Sequence, residues 1–590
     1  MQKQYLTFGQ VCDIMGGMVI HRNEFPTEVP HVVGIDIETT SNMGQLSRLH
    51  LDDIALVQIA CGDDVYVIDD IRPFAQKLES LLADVETVKV FHNAVFDLGF
   101  LSIALGSPII NNVFDTMLAE RVLTNGTGLE CSLKAVADRY LQVHLDKGLQ
   151  TSFGSYSFTD DQIEYAAKDA QVLPAIRDMQ MAKLRENGLM KVMQLENDLA
   201  PIVAGMEVAG MGFDGDRWKI LSDSLLRESQ EVNNRIQSNL GLEHTMTDFF
   251  GNISGINLNS RDQVLSQLKK IGIDLPDYRD QTLKSYAAKH PECTVLQDII
   301  DYRHATKALS FAYHDYVNPV TGRIHAKFTQ LGSRAGRFSS SDPNLQQVPA
   351  QKRFRDCFVA NDGKLLVTAD YSQQEMRLMA QASGDENLIN VCTASDIHAE
   401  NARVMYKDDS IDKNDKRRMI AKNAGFAWLY GSGPETMAVT AGISVSDARD
   451  VLAKLSASYP MVDKWAKRQL KQLYEKGYIE TLLGRRRWLV GAKGSDEIVK
   501  YARIAKNTPI QGSGADIIKY ALVEIGTMLR GYAQIISTIH DEIIVEVDED
   551  DAESVKDCII QCMEYAGEKL IDRVPVVVEA GMAKEWSKGE

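Results

Sequence analysis

The chain has 590 residues, 44% of them hydrophobic, enough apolar mass for several buried cores. Its 82 acidic residues outnumber the 64 basic ones, and the resulting net charge of −18 excludes an indiscriminate nucleic-acid binder. The eight cysteines contain no C-x-x-C pair and read as reduced thiols of a cytosolic protein, while no apolar run approaches the roughly twenty residues of a membrane span.

At the N-terminus, "MQKQYLTFGQVCDIMGGMVI" has no long apolar core behind a basic start, so no secretory leader is expected. "HVVGIDIETT" reads as a strand in which residues two apart share a face, so Asp36 and Glu38 point one way and Ile35 and Ile37 the other. Two carboxylates about 4 Å apart repel by roughly 4 kcal/mol at a moderate effective dielectric. Such a pair either lines a solvated edge or holds a cation. "VKVFHNAVFDLGFL" predicts a strand running into a helix, with Asn93 as N-cap and Asp97 one turn inside. Asp115 in "FDTMLAERVL" reads as a helix cap rather than a ligand. "TDDQIEYAAKDAQVL" opens with a capping box from Thr159 to Gln162 and sets Tyr165 and Asp169 on one helical face.

In this order, D-x-E-T, N-x-x-F-D and Y-x-x-x-D resemble the three motifs of the DEDD 3′–5′ exonucleases, in the tyrosine-containing subgroup found in proofreading domains. The resemblance implies an RNase H-like exonuclease domain over residues 1–190. In it Asp36, Glu38, Asp97 and Asp169 would bind two divalent ions, and Tyr165 would orient the attacking water. Oxygen ligands suit a hard ion such as Mg²⁺, with Mn²⁺ able to substitute.

A second, mainly helical unit begins near residue 190 with "MQLENDLAPIVAGMEVAGMGFDGD". "TGRIHAKFTQLGSRAGRFSSSDPNLQQVP" is rich in Arg, Ser, Asn and Gln, which suits phosphate and minor-groove contacts but equally a mobile surface loop. "KLLVTADYSQQEMRLMAQAS" predicts a strand ending at Asp370 and then a helix, with Ser372 and Glu375 at the spacing of a capping box. In "KRRMIAKNAGFAWLYG", Arg418, Lys422, Phe426 and Tyr430 recur every four residues as one drifting stripe. Two cations followed by two rings suit a triphosphate at one end and a base at the other. "STIHDEIIVEV" reads as a tight hairpin with Asp541 and Glu542 at its turn, and Asp370 is the partner carboxylate that would let this turn hold a metal. Basic clusters in "RRMIAK", "GRRRW" and "KYARIAK" are either solvated helix faces or the lining of a cleft for one nucleic-acid strand.

"DYSQQE", "RMIAKNAGFAWLYG" and "HDE" resemble motifs A, B and C of the family A DNA polymerases, the class of bacterial DNA polymerase I. "AGRFSSSDPNLQQVP", "SDIHAENA", "GRRRWL" and "AKNTPIQGSGADIIK" match further blocks in the family's order, so the resemblance covers nearly the whole chain. It implies a multidomain α/β and α+β fold, with a right-hand polymerase behind the exonuclease. The thumb would span 191–325, the palm 326–393 and 506–590, and the fingers 394–505. Its chemistry would be primer extension with deoxynucleoside triphosphates, using two Mg²⁺ ions held by Asp370, Tyr371 and Asp541, with Glu542 as a supporting acid. His398, Arg418 and Lys422 would bind the triphosphate, with Gln373 also at the nucleotide. Phe426 and Tyr430 would border the nascent base pair, and Glu375 would crowd the sugar 2′ position. Arg337 and His540 would contact the primer end, and Arg503, Asn507 and Gln511 the duplex.

The expected protein is a compact, monomeric replicative enzyme of phage or organelle type, in the cytoplasm (the host's, if phage-encoded). It is expected without a 5′ nuclease or a long thumb insertion, on primer-template DNA. A helicase, a primase or a single-strand-binding protein would be its replisome partners. The alternative, an exonuclease whose C-terminal half only binds nucleic acid, sits poorly with Asp370 and Asp541. Departures from the family are Ala335 for the usual Thr, Gly425 and Ala427 for Asn and Gly around Phe426, and "GSGAD" for "GTAAD".

Overall fold

A computed structural model describes residues 17–40, 48–146, 148, 152–154, 157–242, 255–290, 292–489 and 497–587. Most of the N-terminal segment weighed above as a leader lies outside the described residues. Among the described residues no helix is long and apolar enough to cross a membrane.

The N-terminal unit is built on a mixed sheet of six strands, β1 (Val19–Arg22), β2 (Val32–Thr39), β3 (Ile54–Cys61), β4 (Asp64–Ile68), β5 (Val88–Phe91) and β6 (Val113–Asp115), in the order β1-β4-β3-β2-β5-β6. Strand β2 alternates as its sequence requires: Ile35 and Ile37 are buried in the core, while Asp36 and Glu38 sit half-buried on the other face. Helices α1 (Ala94–Leu105), α2 (Thr116–Thr124) and α3 (Asp160–Gln171) cover the sheet. Gly34 sets how close α3 lies, because a Cβ there would fall 2.3 Å from the Ala170 carbonyl oxygen. That close approach brings Asp169, the neighbour of Ala170, to the acidic face of β2.

Helix α4 (Met190–Ala209) belongs to two cores at once. Val192, Met193, Ala200 and Ala204 pack into the core of the N-terminal unit, and Leu199, Val203 and Met206 into that of the C-terminal one. Beyond it, α5 (Gly215–Asn239) and α6 (Val295–Leu309) run together and share a small core with residues between them, around Ile236, Leu268 and Ile299. The C-terminal unit centres on an antiparallel sheet of β7 (Lys364–Tyr371), β10 (Ala533–Ile539), β11 (Glu542–Asp548) and β12 (Val578–Ala583), ordered β10-β11-β7-β12. A separate two-stranded ribbon, β8 (Tyr478–Glu480) with β9 (Arg486–Trp488), faces the N-terminal unit. Helices α7 (Gln374–Ser383), α8 (Ile397–Tyr406), α9 (Lys416–Leu429), α10 (Ile498–Met528) and α11 (Ala552–Glu568) complete it.

Two local expectations are corrected. The Ser372–Glu375 capping box does not form: the N-cap of α7 is Gln373, in the left-handed region at φ 55°, with no side-chain capping bond. Asn93 sits at the N-cap of α1 but its side chain does not cap; the Asp115 carboxylate accepts from the Asn93 and Ala94 amides instead, and from those of Met117 and Leu118 in its own helix. One buried acid thus closes two helix N-termini.

Candidate active sites

In the N-terminal unit, Asp36, Glu38 and Asp169 each present a carboxylate oxygen within 4.8 Å of the others. Asp97 enters from α1, accepts a 3.1 Å hydrogen bond from the Ile37 amide, and has its pKa driven well up by burial and by the charge of Asp36. Tyr165 lies one turn before Asp169; burial, then the charges of Asp169, Glu38 and Asp36, push its phenol upward, so it stays protonated. Four carboxylates from β2, α1 and α3 therefore converge around one phenol. They line a cleft of about 1360 Å³ whose far wall, including Tyr316, Lys327 and Phe328, comes from the C-terminal unit.

The second cluster lies at the edge of the β10-β11-β7-β12 sheet. Register places Asp370 opposite Glu542, so Asp541 in the two-residue turn between β10 and β11 arrives beside Asp370. His540 makes that turn by adopting φ 59°. Burial, and next the charge of Asp370, raise the Asp541 pKa, which is how two crowded carboxylates behave without a cation. Arg337 opposes this: its charge acts on Asp541 and His540, and its guanidinium donates a 2.6 Å hydrogen bond to Glu375. Glu375 also accepts from the Tyr430 hydroxyl. Arg337, Glu375 and Tyr430 thus tie the acidic pair to the end of α9.

Glu542 has further partners beside this pair, and the Tyr371 side chain turns away from it. Glu542 accepts from Arg355 at 3.2 Å and from the Trp586 indole at 3.2 Å. The Tyr371 hydroxyl donates to the Met563 carbonyl at 2.6 Å inside the core, so only its main chain is near the pair. Gln373 follows Ser372 in the left-handed region, its amide oxygen buried without a hydrogen-bond partner.

Along α9, Arg418, Lys422 and Phe426 line up toward His398 of α8. The His398 and Phe426 ring centroids are 6.1 Å apart. Burial, then Lys422 and Arg418, bring the His398 pKa down to about 4, and both ring nitrogens are buried without hydrogen-bond partners. A neutral imidazole with an idle N–H beside two cations is a donor set for an anion. Asp396, not singled out from the sequence, holds Arg418 through a 2.8 Å ion pair while capping α8; an acid one residue before a helix was the available signal. On α10, Arg503, Asn507 and Gln511 recur one turn apart. Arg503 and Asn507 reach the Gly431 and Tyr430 carbonyls at the end of α9, both at 3.2 Å.

Two of the departures have visible causes. Ser513 donates to the Pro509 carbonyl and accepts from the Leu482 amide, and Gly514 leaves room for Gln374, whose amide oxygen would lie 2.5 Å from a Cβ.

An acid-lined mixed sheet joined to an antiparallel sheet with its own acidic pair defines a chain with two separate carboxylate centres. Residues 222–588 match the model of the family described as DNA polymerase family A, and residues 23–185 match that of a 3′–5′ exonuclease. The chain belongs to DNA polymerase family A, and carries a 3′–5′ exonuclease domain ahead of the polymerase region. It is 33% identical over 462 residues to the thermostable DNA polymerase I of Thermus filiformis, covering 75% of this chain and 53% of that protein. To the DNA polymerase I of Chloroflexus aurantiacus it is 30% identical over 563 residues, covering 90% of this chain and 57% of the relative. The chain therefore spans a little over half the length of these curated relatives. Among solved structures, the POL domain of Pol1 from M. smegmatis, in complex with DNA primer-template and dNTP, superposes with a TM-score of 0.81 at 25% identity, covering 96% of this chain and 99% of that one.

Proposed function

We propose that the chain is a template-directed DNA polymerase that extends a primer 3′ end with deoxynucleoside triphosphates and trims it at a separate 3′–5′ exonuclease centre. The observation that carries the reading is the Asp370–Asp541 pair, linked through Arg337, Glu375 and Tyr430 to the helix that sets Arg418, Lys422 and Phe426 beside His398. On this reading the exonuclease spans 1–190, the thumb 191–325, the palm 326–393 with 506–590, and the fingers 394–505. The protein would act as a cytoplasmic monomer on primer-template DNA.

Both carboxylate clusters suit divalent cations, for which Mg²⁺ is our proposal and Mn²⁺ a substitute, since each gathers acids whose repulsion a hard cation relieves. Asp370, Asp541 and the Tyr371 main chain would hold them at one centre, and Asp36, Glu38, Asp97 and Asp169 at the other. Bound there, they supply an activated hydroxyl or water and a neutralised leaving oxygen. The residues do the rest. His398 donates a neutral N–H to a phosphate oxygen, and Arg418, held in place by Asp396, adds charge with Lys422. Phe426 and Tyr430 flank the base pair, with Gln373 nearby, and Glu375 fills the space at the sugar 2′ position. Arg337 and His540 hold the primer end. Arg503, Asn507 and Gln511 follow the duplex. In the other centre the protonated Tyr165 orients the attacking water.

The test uses the full chain on a labelled primer-template with Mg²⁺. Extension with nucleotides and 3′ trimming without them are expected. Asp36→Ala with Glu38→Ala removes trimming and leaves extension; Asp370→Ala or Asp541→Ala removes extension and leaves trimming. Parallel loss of both activities in either variant would refute two independent centres.

A further inference from the structure

The exonuclease unit touches the polymerase unit at a place with no chemistry of its own. The end of α2 and the residues just after it, Leu123 to Gly126, lie against ribbon β8–β9. The Trp488 indole donates to the Leu123 carbonyl at 3.0 Å, and the Trp488 amide to the Asn125 carbonyl at 2.8 Å. Gly126 adopts φ 91°, and a Cβ there would fall 2.3 Å from the Trp488 carbonyl oxygen, so the two backbones are in direct contact. Within this contact the Asn125 side-chain amide donates to two carbonyls at once, Arg486 at 2.9 Å and Arg334 at 3.0 Å.

The second of these bonds leads to the primer side of the polymerase centre. Arg334 lies in a turn from Gly332 to Arg337 closed by its own hydrogen bonds: the Gly332 and Ser333 amides donate to the Arg337 carbonyl, both at 3.1 Å, and the Arg337 amide donates to the Ser333 hydroxyl at 3.0 Å. From behind, the turn rests on Arg485, because Gly336 at φ 86° leaves its missing Cβ 2.8 Å from Arg485 Cδ. Arg485 is itself fixed, buried between Asp516 and Glu196 at 2.7 and 2.6 Å. What the turn presents is Arg337, whose guanidinium holds Glu375 and whose charge bears on Asp541. The turn has a rigid back, and on its solvent-exposed side Asn125 grips the Arg334 carbonyl.

We propose that Asn125, a residue of the exonuclease unit, is a positioning residue for the polymerase centre: by holding the Arg334 carbonyl it fixes the turn that aims Arg337 at Glu375 and Asp541. The proofreading unit is then a structural part of the primer grip as well as the trimming machinery. This rests on the polymerase reading above.

The experiment is a double-mutant cycle on the full chain. Asn125→Asp keeps the size of the side chain but turns a donor that faces two carbonyls into an acceptor; Asn125→Ala removes it and serves as the second variant if Asn125→Asp unfolds. Each is measured alone and combined with Arg337→Ala, as kcat and KM for the nucleotide on a matched primer, with trimming of a single-stranded oligonucleotide as a check on the exonuclease centre. Asn125→Asp should lower kcat for extension by about fivefold to tenfold, with KM for the nucleotide and single-strand trimming unchanged. In the Arg337→Ala background it should have no further effect, because coupled residues are non-additive. Trp488→Phe, which loses only the indole bond to Leu123, should leave extension within about twofold. The proposal is overturned if Asn125→Asp and Arg337→Ala multiply, or if Trp488→Phe reproduces the loss. A native chain that fails to extend any primer refutes the polymerase reading instead, and a native chain that extends as fast as Asn125→Asp refutes only this inference.

Discussion

Glu375 shows how a residue with two sequence readings is decided by its partners. With Gln373 at the N-cap and no capping bond from Ser372, the Glu375 carboxylate is free of a capping role and is taken by Arg337 and Tyr430. On the proposed reading, truncating it would remove bulk and charge at the nucleotide without unravelling α7. Glu375→Ala is expected to raise the ratio of ribo- to deoxynucleotide incorporation by on the order of tenfold or more. Parallel single-nucleotide kinetics measure that ratio; an unchanged value would place the side chain away from the sugar. Phe426 makes a related argument. Its ring is half-exposed beside His398 and one turn past Lys422, and it offers no hydrogen-bond donor. A dideoxynucleotide, lacking its own 3′-hydroxyl, should be used poorly. Phe426→Tyr is expected to improve its use by about tenfold or more, since a hydrogen bond to a charged group contributes roughly 1.5–3 kcal/mol. The relative incorporation of dideoxy- and deoxynucleotide in the Asp36→Ala, Glu38→Ala background measures it.

At the scale of elements, α9 carries a glycine that propensity alone would replace. Gly costs about 1 kcal/mol relative to Ala inside a helix, so Gly425→Ala looks stabilising from sequence. The structure reverses the sign. A Cβ at Gly425 would lie 3.2 Å from Asn401 Nδ2, and Asn401 cannot withdraw: its oxygen accepts from Tyr459 at 2.6 Å and its amide donates to the Ala421 carbonyl at 3.3 Å. Gly425→Ala is expected to leave the melting temperature unchanged or lower, and a clear rise would mean that α8 and α9 separate easily. The elements themselves were legible. Period-2 alternation marks β2, period-4 recurrence marks the cationic face of α9, and β-favouring runs around His540 and Asp541 mark the hairpin. Asp36, Glu38 and Asp169 do converge, and Asp370 does meet Asp541. What local pattern could not carry was partnership across the chain: Arg337 and Glu375 are 38 residues apart, and Glu375 and Tyr430 are 55. Nor could it foresee that Asn93, Gln373 and His540 all enter the left-handed region beside the acids, at φ 75°, 55° and 59°. Such conformations cost energy that only the assembled surroundings sustain. Nor could it foresee the partners of Glu542, since Arg355 and Trp586 lie far along the sequence.

For the whole molecule, the junction around α4 makes stability depend on pH. Glu207, near the end of α4, accepts a 2.5 Å hydrogen bond from the Phe328 amide, and burial raises its pKa from 4.5 to about 8. The folded state therefore keeps a proton that the unfolded chain gives up above about pH 4.5. The associated stability is complete below that value and is lost as pH rises through about 8. Thermal unfolding between pH 5 and 9 should show a downward slope that Glu207→Gln, neutral at every pH, reduces; an identical slope in the variant would mean that Glu207 is ionised in the fold.

Helix α4 also decides what must travel. Because its opposite faces are sealed into two different cores, it cannot act as a hinge, and the cleft of the trimming centre is walled by both units. Neither workshop can swing toward the other. On the polymerase reading proposed above, a mispaired end would therefore have to unzip and make the crossing itself, the choice between building and erasing would fall to the strand's own tendency to fray, and the protein would serve as a fixed landscape with two destinations.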